Sequence, residues 1–220
     1  HKQYPKAAAM LKEQYRMHRD IMTFSSRHFY DNALQPATGV GFWTLGPDFA
    51  PVEFVDTAGC GFDEKKNHRL STLNPDEAGL VLKHLALLLN KLEKEVPGTF
   101  EKPFSIGIIA PYKAQVYVLR QQLHASPMLS SYLQYIEINT VDGFQGQERD
   151  VIYISLTRSN SKGEIGFLGD ERRMNVAMTR ARKKLVIVGD SATLGRHKFF
   201  GSLLDYMDEI EAHATAWEYI

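Results

Sequence analysis

Short runs of β-branched and other apolar residues alternate with longer amphipathic stretches along most of this chain. Val52–Asp56, Ser105–Ala110, Ile136–Thr140, Asp150–Ser155 and Lys184–Val188 read as strands. Most are near-continuous apolar runs of the kind buried on both faces of a parallel sheet. Helical spacing of apolar residues marks Ile21–Tyr30, Pro75–Glu95, Lys113–His124, Arg172–Ala181 and Phe200–Glu211. The second of these helices has a clear start: Asn74 can cap it, Pro75 suits its first turn, and Asp76 and Glu77 meet the positive end of its dipole. Leu80, Leu82, Leu85, Leu87, Leu88 and Leu89 then give it a broad apolar side that reads as core. Strands alternating with helices of this length predict right-handed βαβ crossovers and an α/β fold, a parallel sheet sandwiched by helices in three layers.

Two stretches break the pattern. Gln35 to Pro51 contains Gly39, Gly41 and Gly46, and Thr57 to Ser71 is polar and glycine-broken; both read as loops, the second long enough to be mobile without a partner. Phe42 and Trp43 in the first could stack on a base, but aromatics in such a loop more often pin it to the body, and that reading is preferred. The tail from Ala212 carries no functional signal.

Composition narrows the class. A chain of 220 residues is enough for one domain with a sizeable core. Its 26 Lys and Arg balance 26 Asp and Glu, so no global basic field advertises nucleic acid, and any such binding has to come from a local groove. The single Cys60 excludes an internal disulfide, the eight histidines are scattered, and no zinc-ligand set is visible. Reducing, intracellular surroundings fit this usage, cytoplasmic or, in a eukaryote, nuclear. No apolar run reaches transmembrane length and residues 1–10 lack a signal-peptide core.

Candidate chemistry sits in three places. Arg172-Arg173-Met174-Asn175-Val176-Ala177-Met178-Thr179-Arg180-Ala181-Arg182 runs straight into the apolar run that begins at Leu185. On a continuous helix Arg173, Ala177 and Arg180 share a face, with Met174, Met178 and Ala181 on a neighbouring stripe. Guanidinium forks there suit a polyphosphate, although a solvated basic face is an equally good reading of the segment alone. The second place is Thr140-Val141-Asp142-Gly143-Phe144-Gln145-Gly146-Gln147-Glu148, between two strands. Its glycines would let backbone amides approach phosphate oxygens, and Glu148 could accept from a sugar hydroxyl; Gly-x-x-Gly alone is no more than a turn. Glu13-Gln14-Tyr15-Arg16-Met17-His18 is the third.

Taken together and in order, Gln14–His18, Thr140–Glu148 and Asn175–Arg182 closely resemble motifs IV, V and VI of superfamily 1 helicases of the nonsense-mediated-decay and senataxin group. Ile106–Gln115 resembles the strand and turn between motifs IV and V, Leu73–Ala78 the helix start before it, and Ile165–Leu168 the lead-in to motif VI. The resemblance covers residues 11–195. It implies a RecA-like P-loop NTPase fold and ATP with Mg2+ as the nucleotide. Arg180 would be the motif VI arginine finger and Arg16 its partner from motif IV, both directed at the γ-phosphate. Gly146 would offer its amide to that phosphate, Glu148 would hold the ribose, and Gln145 and Arg173 would support them. Arg182 would be structural, its helical position turning it away from Arg180. Thr140, Pro111 and Tyr112 would contact single-stranded DNA or RNA; Ala110 stands where many relatives carry threonine, so one hydroxyl contact is lost.

The chain has no Gly-x-x-x-x-Gly-Lys-[Ser/Thr] loop and no strand ending in paired acids suited to magnesium. In the family those parts lie on a first RecA-like domain. The expectation is therefore a single second RecA-like domain spanning 1–220, without its own phosphate-binding loop. It should be monomeric, inactive as an ATPase by itself, and completed by an N-terminal RecA-like domain of the same protein. A module of this shape that serves as a non-catalytic scaffold is the alternative.

Overall fold

The computed structural model describes residues 11–144 and 146–220. Six strands form one sheet: β1 (Val52–Asp56), β2 (Ile106–Ile109), β3 (Ile136–Asn139), β4 (Arg149–Ser155), β5 (Ala181–Gly189) and β6 (His213–Thr215). They lie in the order β6-β1-β5-β4-β2-β3, and every pairing is parallel. The helices are α1 (Arg19–Phe29), α2 (Pro75–Glu95), α3 (Lys113–Ala125), α4 (Glu171–Met178), the single turn α5 (Ser191–Leu194) and α6 (Lys198–Glu209). This is the three-layer α/β arrangement the alternating pattern predicts.

The alternation of side chains along each strand divides the core in two. Val55, Ile106, Ile108, Val151, Tyr153, Val186 and Val188 face α2 and α3, meeting Leu85, Leu89, Leu119 and Leu123. Phe54, Ile109, Ile152, Ile154, Leu185 and Ile187 face the other way, onto Ile21, Phe24, Met174, Met178, Phe199 and Leu203 of α1, α4 and α6. At Gly107 the face toward α1 and α4 is left open, and Phe144 fills it. A Cβ on Gly107 would stand 2.7 Å from Ile152 and 3.0 Å from Phe144, so the glycine makes room for the Phe144 ring, which is fully buried.

Three differences from the sequence pattern matter for function. The helix expected over Arg172–Ala181 ends at Met178. Thr179 closes it, its N–H and Oγ1 both reaching the Asn175 carbonyl at 3.0 and 2.8 Å. The Arg149 N–H then takes the Arg180 carbonyl at 3.0 Å, drawing the chain into β5 three residues earlier than expected. The tail contributes β6, which closes the sheet beside β1. The stretch Thr57–Ser71 is not loop throughout, because Lys65–Lys66 pairs antiparallel with Thr72–Leu73. No helix among the described residues is long and apolar enough to cross a membrane.

Candidate functional site

Because all six strands run the same way, the sheet has one edge of strand starts and one of strand ends. Arg16, Glu148, Arg180 and Arg182 meet at the edge of strand starts, where β4 and β5 begin. Arg16 is placed by its own turn: the Gln14 side chain accepts the N–H groups of Arg16 and Met17, both at 2.8 Å, and donates to the Met17 carbonyl at 2.8 Å. The His18 N–H bonds the Arg182 carbonyl at 2.9 Å, and Met17 is buried. Those anchors leave the Arg16 side chain pointing outward. Its Nε donates to Glu148 Oε2 at 2.7 Å and its Nη1 to the Thr179 carbonyl at 3.1 Å.

Arg180 sits beside this pair without a carboxylate of its own. Among the described residues its guanidinium makes one hydrogen bond, a long one from Nη1 to the Gln147 carbonyl at 3.5 Å, and its Nε is buried without a partner. Burial and the neighbouring Arg16 charge lower its pKa, and Glu148 offsets this in part. Arg182 approaches the other Glu148 oxygen at 3.6 Å and Asp150 at 3.8 Å, and its guanidinium lies 5.0 Å from the Trp43 ring centre. Three guanidinium groups therefore share one half-exposed carboxylate, since Asp150 is also held by Lys183 at 3.0 Å and by Ser105. Such a cluster is short of negative charge and favours an anion.

Gly146 lies next to this cluster in sequence, with φ +80° and nothing within 4 Å of where a Cβ would stand. Its backbone is open to close approach in a conformation other residues rarely adopt. Gln145, expected to support this site, lies outside the described residues. Arg173 does not join the cluster. Its ion-pair partners are Asp170 at 3.5 Å and Asp142 at 3.6 Å, and it lines the groove at the opposite edge. The shared face expected for Arg173 and Arg180 fails because Arg180 lies past the end of α4. For the same reason Arg182 is a strand residue that shares Glu148 with Arg16, instead of turning away from the cluster.

The edge of strand ends carries an open groove of about 890 Å³, lined by Pro111, Tyr112, Thr140 and Arg173 among others. Pro111 and Thr140 are half-buried at its floor. The Tyr112 side chain is buried, and its hydroxyl accepts from Arg158 Nη1 and from the Phe167 N–H, both at 3.2 Å. Tyr112 thus holds the groove wall in place more than it offers a free contact. Arg158 in turn donates to Glu64 at 2.7 Å in a buried pair, and Gly166 gives way to both, a Cβ there standing 2.2 Å from Arg158 and 2.5 Å from Tyr112.

Behind this wall lies a polar network that sequence reading did not find. Glu77, fully buried at the start of α2, accepts from the Ser155 hydroxyl and from the Thr157 N–H at 2.8 Å. Burial pushes its carboxyl up to about 8, its two hydrogen bonds acting in the opposite direction. Thr157 has φ +71°, a strained setting for a β-branched residue. The bond to Glu77 helps hold that turn, which sends Arg158 toward Glu64 and Tyr112. The only signal in the sequence was Glu77 itself, at a position that also suits a helix dipole. Among the described residues no group of three or more His, Cys, Asp or Glu side chains is gathered as a metal-ligand set.

Residues 1–192 match a family model described as an AAA domain. Helicase sen1 of Schizosaccharomyces pombe is 38% identical over 209 residues, 93% of this chain and 12% of that protein. The DNA-binding protein SMUBP-2 of Mus musculus is 37% identical over 221 residues, covering 96% of this chain and 21% of its own length. The Regulator of nonsense transcripts 1 homolog of Drosophila melanogaster is 36% identical over 203 residues, 89% of this chain and 16% of that one. The chain thus spans between 12% and 21% of the length of these relatives. In fold it is similar to the C-terminal domain of a possible DNA helicase from Lactobacillus plantarum, with a TM-score of 0.50 at 12% identity over 92% of this chain and 99% of that one.

Proposed function

Since the chain belongs to this AAA-domain family and is a C-terminal domain of the superfamily 1 helicases related to senataxin, SMUBP-2 and the nonsense-decay regulator, we propose that it is the second half of an ATP-driven motor. It completes an ATP site held by an N-terminal RecA-like domain of the same protein and grips single-stranded DNA or RNA at its opposite edge. It works as a monomer and turns over no ATP alone, lacking a phosphate-binding loop and a carboxylate set for Mg2+. The observation that carries this reading is the Arg180 guanidinium, partly buried beside Arg16 and without a carboxylate of its own.

A γ-phosphate brought to this edge supplies the missing negative charge. Arg180 and Arg16 then stabilise the charge that develops on phosphoryl transfer, the Gly146 amide adds a donor, and Glu148 is freed to accept from the ribose. Arg16 and Glu148 are 38% and 44% exposed, so their mutual pair is worth about 0–1 kcal/mol and yields readily to a triphosphate. Thr140 at the groove and Glu148 at the arginine cluster are the two ends of one short segment, pinned in the middle by the buried Phe144. That continuity supports a direct mechanical route between nucleotide state and grip on the strand.

The test uses the full-length protein. Arg180→Ala is expected to lower kcat by at least ~10²-fold while changing ATP binding far less, because the lost contact belongs to the transition state. Arg180→Lys should recover little, since it keeps the charge but not the fork. Near-wild-type turnover by Arg180→Ala overturns the assignment and leaves a scaffold module.

A further inference from the structure

The groove contains more binding chemistry than Pro111 and Thr140 account for. One wall is the hairpin in which Lys65 pairs with Leu73 and Lys66 with Thr72. The Asn67 side chain closes its tip, accepting the N–H groups of Arg69 and Ser71, both at 3.0 Å. This fixes a turn that puts Arg69 on the groove. Arg69 and Lys113 line the groove, are exposed and, among the described residues, take part in no ion pair. Among the described residues they are the unneutralised lysine and arginine of its lining, because Arg173 is already held by Asp142 and Asp170.

The other walls are aromatic and open. Tyr117 on α3 is 61% exposed and lines the groove, and its hydroxyl accepts from Gln121 one turn further on at 2.7 Å. Phe167 is 65% exposed; one side of its ring packs near Tyr112, with centroids 5.4 Å apart, and it too lines the groove. Aromatic rings left open to solvent inside a groove, with unpaired cations on its rim, match the two chemistries of an unpaired nucleotide. Bases supply flat π faces to stack, and the backbone supplies charge. In a duplex those faces are covered by neighbouring bases.

We propose that the Lys65–Leu73 hairpin and Tyr117 form a clamp for the unpaired bases of a single strand. Tyr117 and Phe167 are its stacking faces, and Arg69 and Lys113 meet the phosphates. The clamp rests on the helicase reading above and adds to it a base-dependent, sequence-tolerant grip. Binding should depend on the presence of bases and not on their identity.

Fluorescence anisotropy on the full-length protein tests this, with a labelled oligothymidylate and an abasic oligonucleotide of the same length. Tyr117→Ala is expected to weaken the thymidylate complex about tenfold and leave the abasic complex unchanged, as loss of one base stack predicts. Tyr117→Phe, which keeps the ring, should bind like wild type. Arg69→Ala combined with Lys113→Ala should weaken both complexes and reduce the slope of log affinity against log salt by about 1.4, since each single-strand phosphate contact contributes about 0.7. Equal thymidylate binding by wild type and Tyr117→Ala overturns the clamp, and is the result expected if this surface docks a protein. Equal loss on both oligonucleotides overturns it too, since the ring would then not be reading bases. Wild-type protein that binds neither oligonucleotide sinks the helicase reading itself, whereas normal wild-type binding with an indifferent Tyr117 sinks only the clamp.

Discussion

The two edges of this sheet handle arginine in opposite ways. At the edge of strand ends, Arg158 is buried, paired with Glu64 at 2.7 Å and bonded to the Tyr112 hydroxyl. At the edge of strand starts, Arg180 is also partly buried, but among the described residues its Nε has no partner and Arg16 is its neighbour. One guanidinium is satisfied by its own fold and shapes a groove; the other is left short of negative charge. An unsatisfied buried donor costs free energy, and retaining one makes physical sense where a ligand completes it. The irregular segments follow the same division. The loop before β1 brings Trp43 against Arg182 and leaves Phe42 70% exposed, while the hairpin after β1 stands over the groove.

The largest effect expected from this contrast is on stability. Arg158→Ala leaves Glu64 as a buried carboxylate without its cation and releases Tyr112 and Gly166. A loss of about 3–5 kcal/mol is expected, read as a lowered urea midpoint. Arg180→Ala removes a cation that repels Arg16 and should leave the midpoint within about 0.5 kcal/mol of wild type, or raise it. Equal destabilisation by the two substitutions would break the comparison, showing that Arg180 is as fully compensated as Arg158.

A second prediction concerns the network behind the groove. The Glu77 carboxyl ionises near 4.5 in the ordinary case but is pushed up to about 8 in the fold. Between those values the native state holds a proton that the unfolded chain has released. Its stability must therefore fall as pH rises through that window and level off above it. The fall attributable to Glu77 should be on the order of a few kcal/mol. Glu77→Gln keeps the shape and removes the titration, so its urea midpoint should decline less between pH 5 and 8.5. Parallel pH profiles for the two proteins would show that Glu77 is not the group that titrates.

How far the sequence could be read differs between the two edges for physical reasons. The five longer strands and five helices were legible because each repeats its period over several residues, and the Asn74 cap forms as expected, with Asn74 Oδ1 accepting the Glu77 N–H at 3.0 Å. The ordered motifs likewise brought Arg16, Glu148 and Arg180 into one list, and they do share one edge. What failed was local. Helical spacing continues past Met178, so nothing in the pattern reveals that parallel pairing with β4 captures the Arg180 carbonyl and ends the helix. That one turn separates Arg173 from Arg180 and places Arg182 on Glu148. The two-residue strands at Lys65–Lys66 and Thr72–Leu73 are too short to show any period, which hid the hairpin inside a segment that reads as loop. Glu77 was legible only as a dipole partner, because its link to Ser155 and Thr157 spans some 80 positions in the chain.

The finest division between the edges belongs to Glu148. It lies between Arg16 at 2.7 Å and Arg182 at 3.6 Å with its side chain 44% exposed. Pairs this open contribute about 0–1 kcal/mol, so Glu148→Ala should shift the urea midpoint little, and less still at high salt. Its functional effect should be of a different kind from that of Arg180→Ala. The ribose does not change charge during phosphoryl transfer, so an accepting carboxylate there contributes equally to ground and transition states. In the full-length protein, KM for ATP should rise severalfold while kcat stays near wild type. A drop in kcat at constant KM would mean that Glu148 serves by positioning Arg16, making the pair seen here part of the catalytic arrangement instead of a resting contact that the nucleotide displaces.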